Sequence, residues 1–216
     1  MLPLPGGAGL APLANQGRPL SDFTPGSTFR RLQLEQVVRL LQDVLSGLAA
    51  LHEDIEGGVG FVHGQVSPQV IHVSEDGTAR LVPLLNRHWT PAAQPNSTGY
   101  TAPELLLGER SDPRFDLFSV GAMLWEALAG TPLFPDPSLD AVLARWRGGK
   151  ILPLVPTLDS PRALLLAAIA ERAVSPYPVL RFQSAVELSK AIAGAVAPQL
   201  AHRKPASRPS KAPAPS

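Results

Sequence analysis

Between Phe61 and Leu85 the chain reads FVHGQVSPQVIHVSEDGTARLVPLL. It has the rhythm of a catalytic loop running into a strand, and general-base or metal chemistry in such a loop draws on carboxylate or carboxamide groups. Several of its residues are inert in that chemistry. Gln65 is a neutral amide and cannot accept a proton as a base, Val70 has no oxygen to offer a hard cation, and Pro83-Leu84-Leu85 carries no charge at all. Glu75 and Asp76 are acidic, but they sit in an EDG turn signal, on the wrong side of the loop. The chain has no cysteine, which excludes disulfides, thiolate zinc sites and cysteine nucleophiles. A formal net charge of +1 argues against a whole-domain nucleic-acid binder.

The elements that must position these residues are mainly helical. LQLEQVVRLLQDVLSGLAALHE places Leu34, Val37, Val38, Leu41, Leu45, Leu48 and Leu51 three and four apart, the pattern of one long amphipathic helix. GGVGFVHG is a Gly-rich turn into a short β-prone piece, and VIHVSEDGTARLVPL reads as a hairpin. In DPRFDLFSVGAMLWEALAG, Asp112 is expected as N-cap and Pro113 as the first helical residue, with Gly130 closing the helix. Its apolar residues lie on nearly all sides, which places it at the centre of a domain. Three more helices are expected over Ser138–Arg147, Ser160–Ala173 and Gln183–Ala197. Residues 1–27, rich in Pro and Gly, and the basic Pro/Ala/Ser-rich residues 198–216 are expected to be disordered, flanking a helical domain over residues 28–197.

This order of elements, with four motifs in it, resembles the C-terminal lobe of serine/threonine protein kinases. YTAPELL (Tyr100–Leu106) is similar to the family's Ala-Pro-Glu segment, and DLFSVGAMLWEALAGTPLF (Asp116–Phe134) to its central helix. SPYPVLRFQSAVEL (Ser175–Leu188) resembles its closing arginine segment, and FVHGQVSPQVIHV its catalytic loop. The fold class this implies is mainly α: a protein-kinase-like C-terminal lobe with a small β-hairpin and no N-terminal lobe. The resemblance also assigns structural roles. Glu104 pairs with Arg181, Asp116 accepts hydrogen bonds from catalytic-loop amides, and His63 packs inward.

Set against the family pattern, Gln65 stands at the loop carboxylate, Gly64 at the preceding arginine, Val70 at the metal-binding asparagine and Pro83-Leu84-Leu85 at the metal-binding aspartate segment. No lysine precedes Lys150, so the strand lysine that grips phosphates has no counterpart. Phosphoryl transfer depends on these groups. The expectation is a truncated pseudokinase: no enzyme, no catalytic, cofactor-binding or metal residues, no cofactor, and a protein-interaction or regulatory role. The alternative is a fragment of an active serine/threonine kinase whose upper lobe is missing or supplied in trans. Without an upper lobe, Leu81, Val82, Leu84 and Leu85 would face solvent as a contact surface. A protein partner is expected, a kinase or another regulator, with no nucleic acid and no membrane insertion, in the cytoplasm.

Overall fold

The computed structural model describes residues 17–23, 29, 32–53, 55–56, 59–82, 95–109, 112–148, 153–154 and 160–197; for 55–56, 59–60 and 95–97 only the backbone is described. The first helix, α1 (Leu34–Glu53), buries the stripe Val37, Val38, Leu41, Val44, Leu45 and Leu48. Two short antiparallel strands follow, β2 (Ile55–Glu56) and β3 (Val59–Gly60). The hairpin β4 (Ile71–Val73) and β5 (Ala79–Leu81) pairs Ile71 with Leu81 and Val73 with Ala79. Its turn closes on Gly77, at φ 80°, and on the Asp76 carboxylate, which accepts the Thr78 amide at 2.9 Å.

The sheet has three strands where a two-stranded hairpin was expected. Strand β1 (Arg18–Pro19) pairs antiparallel with β4, Arg18 opposite Val73 and Pro19 opposite His72. Residues 17–23 therefore depart from the disorder expected for 1–27. After β1 a 3-10 turn, Leu20–Phe23, buries Leu20 and donates the Ser21 amide to the Pro68 carbonyl at 3.3 Å. Gly17 is required here, because a Cβ on it would lie 1.9 Å from the Val73 carbonyl oxygen.

Helix α2 is one turn, Pro103–Leu106, and α3 spans Arg114–Ala129. Thirteen of the sixteen residues of α3 are buried, so the helix forms the centre of the lobe. It begins one residue later than expected. Pro113 occupies the cap position, while the Asp112 carboxylate accepts the Arg114 amide at 2.8 Å and also binds the Arg114 guanidinium. The helix ends on Gly130 at φ 69°.

Helices α4 (Leu139–Arg147), α5 (Pro161–Ala173) and α6 (Ala185–Val196) each start from a serine cap: Ser138, Ser160 and Ser184 accept the amides of Ala141, Ala163 and Glu187. Helix α3 packs closely on α5. A Cβ at Gly121 would stand 2.5 Å from the Ala173 Cβ, so only glycine permits this approach. Helix α6 lies against α1, where Gln42 and Ser189 exchange hydrogen bonds. The architecture is mostly helical with a small antiparallel sheet, compatible with a kinase-like C-terminal lobe. No helix among the described residues is long and apolar enough to cross a membrane.

Candidate functional site

The loop 61–70 runs from β3 toward β4, and α3 holds it in shape. Asp116, in the first turn of α3, is 0% exposed, and both of its oxygens face the loop. Oδ1 accepts the Gly64 amide at 2.7 Å and Oδ2 accepts the His63 amide at 2.9 Å. Gly64 has φ 72°, a conformation that costs a glycine little, and it lets two successive amides converge on one carboxylate. His52, near the end of α1, places Nε2 2.8 Å from the same Oδ2. A buried carboxylate is tolerable only when its lone pairs are filled, and three donors do this here.

His63 is half-buried and bridges the loop to the strand end. Nε2 donates to the Val82 carbonyl at 3.1 Å, and the Gln65 amide lies 3.4 Å from Nδ1. Both ring nitrogens are engaged within the protein. Val66, Ser67 and Val70 are buried and Gln65 nearly so; the Val70 amide bonds the Ser67 carbonyl, and the Val82 amide bonds the Val70 carbonyl. Ser67 Oγ, Gln69 Oε1 and His72 Nδ1 are buried with no hydrogen-bond partner among the described residues.

A second buried charge system fixes α2 to the turn between α5 and α6. Arg181, 0% exposed, meets Glu104 through two parallel bonds, Nη1–Oε1 at 2.5 Å and Nη2–Oε2 at 2.8 Å. Its Nε donates to the Ser175 carbonyl at 2.7 Å, Nη1 also reaches the Arg114 carbonyl at 3.2 Å, and the guanidinium lies 5.0 Å from the centre of the Phe118 ring. Beside it, the Arg114 guanidinium holds the Asp112 carboxyl below its ordinary value.

No protein-family model matches the chain. Among curated proteins it is similar to the serine/threonine-protein kinase PknL of Mycobacterium tuberculosis, 34% identical over 139 residues, covering 57% of this chain and 34% of that protein. The serine/threonine-protein kinase pkn2 of Myxococcus xanthus is 27% identical over 197 residues, 83% of this chain and 22% of that protein. The serine/threonine-protein kinase ULK3 of Rattus norvegicus is 33% identical over 153 residues, 66% of this chain and 31% of that protein. This chain is related to the serine/threonine protein kinases. It spans about a third or less of the length of these relatives.

The relationship corrects one expectation. The chain was expected not to be an enzyme, but its relatives are named as serine/threonine protein kinases, which are enzymes. The substitutions at Gln65, Val70 and Pro83 describe the loop's chemistry and do not establish inactivity. The structure brings His63 and Asp116 together at the loop, and Glu104 and Arg181 together between α2 and the turn that precedes α6. Leu81 and Val82 are half-buried, Leu81 packing against the core. Pro83, Leu84 and Leu85 lie outside the described residues.

Sequence reasoning missed three participants. His52 stands at the end of α1, and its partner Asp116 lies 64 residues further along the chain. The Tyr100 hydroxyl donates to Glu126 Oε2 at 2.6 Å, with Glu126 buried in α3. A buried acid calls for a partner, but nothing local in the sequence names Tyr100 as that partner.

Proposed function

We propose that this chain acts as the helical lobe of a serine/threonine-kinase-like protein, working as a protein-contact and regulatory module. The reading rests on one contrast. The anchors that shape the loop are complete, with Asp116 taking both the His63 and Gly64 amides. The side chains this loop carries at the positions of phosphoryl-transfer chemistry, Gln65 and Val70, bear no charge. A loop held in a fixed path by Asp116, without charged groups at these positions, is compatible with a contact role. A protein partner, itself a kinase or another regulator, fits this role.

A second reading is favoured by the names of the relatives: the chain contributes to phosphotransfer as part of a larger kinase assembly. The two separate on one substitution. In the whole polypeptide, Gln65→Ala is read by transfer of labelled phosphate from Mg–ATP to a generic acceptor protein. On the contact reading the rate measured for the parent protein is unchanged. A tenfold or greater fall, about 1.4 kcal/mol in the barrier, would transfer the loop to the second reading.

A further inference from the structure

Residues 17–23 cross the outer edge of the hairpin and are held there by few contacts. In the β4–β5 ladder the Val82 amide bonds the Val70 carbonyl and the Ser74 amide bonds the Thr78 carbonyl. Backbone groups alternate in an antiparallel pair, so His72 bonds across to Arg80, and the amides and carbonyls of Ile71 and Val73 turn to the opposite edge. Strand β1 lies on that edge, Arg18 opposite Val73 and Pro19 opposite His72. Pro19 has no N–H to give, and it stands opposite the residue whose own backbone groups are turned away. Gly17 lies so close to the Val73 carbonyl that no side chain fits there. Beyond the strand, Leu20 is buried and the Ser21 amide reaches the Pro68 carbonyl at 3.3 Å. The segment thus touches both ends of the stretch 68–73, which joins the loop to β4.

The same stretch holds polar atoms that the closed arrangement does not satisfy. Ser67 Oγ, Gln69 Oε1 and His72 Nδ1 are buried with no hydrogen-bond partner among the described residues. Water would satisfy them, so their burial opposes closure. Against it stand the burial of Leu20, a ladder of two residues and one long amide bond. Elements held by so few buried contacts open below the threshold of global unfolding. We propose that residues 17–23 are a releasable strap, and that its opening loosens the stretch 67–73 and with it the loop 61–70. In the closed form the loop is fixed from two sides: by Asp116 at His63 and Gly64, and by the strap at Pro68 and Val73. In the open form only the Asp116 side holds it. A protein partner that binds the loop better in one form shifts the strap toward that form, and an event at the strap shifts the loop, because coupling is reciprocal. This regulatory step rests on the contact reading proposed above; the opening of the strap does not.

Native-state hydrogen exchange of the full chain, resolved by residue and with no partner present, tests the strap. The Ser21 and Val70 amides are expected to exchange together, about tenfold or more faster than the amides of α3, and with little dependence on low urea, because local opening exposes little surface. Gly17→Ala sets a methyl against the Val73 carbonyl and the Ser74 amide. The hairpin is held from its other side, where Asp43 accepts the Ala79 amide at 3.0 Å, so the strap is the part that yields. This variant is expected to raise exchange at Ser21 and Val70 by about another tenfold and to leave α3 and α5 unchanged. Leu20→Ala removes the buried anchor without touching the ladder, and is expected to act in the same direction. It decides the matter if the amides of Thr78 and Ala79 show that Gly17→Ala has distorted the hairpin. Three outcomes would overturn the proposal: Ser21 exchanging only as slowly as α3, acceleration at Ser21 without Val70 in both variants, or equal acceleration throughout the chain in both. None of them touches the contact reading, which is decided separately by the phosphate-transfer rate of Gln65→Ala.

Discussion

Two buried carboxylates, Asp116 and Glu104, carry opposite assignments in the same lobe. Asp116 bonds backbone amides and a histidine, and so fixes the path of a loop. Glu104 bonds one guanidinium through both oxygens, and so ties α2 to a turn 77 residues further along the chain. The first shapes the loop 61–70, and the second holds the body that carries it. Damage at Glu104 should therefore appear as lost stability. Damage at Asp116 should appear as lost loop geometry together with a smaller stability loss.

The largest expected effect tests the body. Glu104→Ala strands the Arg181 guanidinium, which is 0% exposed and, among the described residues, keeps the Ser175 and Arg114 carbonyls and the Phe118 ring. Breaking a buried pair from one side costs about 3–5 kcal/mol. Urea unfolding of Glu104→Ala should show a drop of that size, and a loss under about 1 kcal/mol would mean that the pair is hydrated, as surface pairs are. Asp116→Asn comes next. The amide retains one acceptor but turns an N–H toward a loop N–H, leaving a buried donor unmatched at about 1–3 kcal/mol. Hydrogen exchange at His63 and Gly64 should rise far more than at α5. Uniform acceleration would show that Asp116 is a general stabiliser and collapse the contrast with Glu104.

Gly121→Ala acts on both systems at once. Residue 121 lies between Asp116 and the end of α3, and its added methyl meets Ala173 at 2.5 Å and the Val174 side chain at 3.1 Å. Separating α3 from α5 in this way should cost about 1–3 kcal/mol, the usual range for overpacking. The melting temperature should fall, with Val174→Ala in the same chain recovering only part of it, since the Ala173 clash persists.

The sequence made the helices legible because their signals are local. Ser138, Ser160 and Ser184 cap the three late helices, and Gly130 closes α3. The apolar encirclement of α3 marked it as central. Strand β1 was not legible, because two residues have no periodicity and Arg18-Pro19 gains its strand character only from Val73 and His72 across the sheet. Asp112 showed a similar limit. Its residue type fits an N-cap, but its carboxylate is drawn to the Arg114 guanidinium as well as to the amide, and the helix opens at Arg114. At the site, the Glu104–Arg181 geometry was implied by the resemblance. The His52 contact with Asp116 and the Tyr100 contact with Glu126 join residues 64 and 26 apart, and no local pattern encodes them.

The smallest expected effect lies on the outer side of the Arg181 turn and depends on pH. Glu187 accepts the Gln183 amide at 2.7 Å and pairs with Arg172, which in turn holds the Arg181 carbonyl. The amide bond first, and the guanidinium after it, keep the Glu187 carboxyl below its ordinary value. A lowered folded-state value means that the unfolded chain binds the proton more readily. The stabilisation is therefore present above the unfolded carboxylate range and is lost as pH falls through the lowered value. Asp112 is shifted in the same direction by Arg114. Unfolding free energy should thus decline on acidification through and below the carboxylate range, and Glu187→Gln should remove part of that slope at a cost of about 0.5–1 kcal/mol near neutral pH, since the pair is half exposed. Val179 and Leu180 sit in the turn this network holds, so Glu187→Gln should also raise hydrogen exchange between residues 177 and 181 while leaving His63 and Gly64 unchanged. Equal acceleration at the loop would join the two carboxylate systems into one cooperative unit.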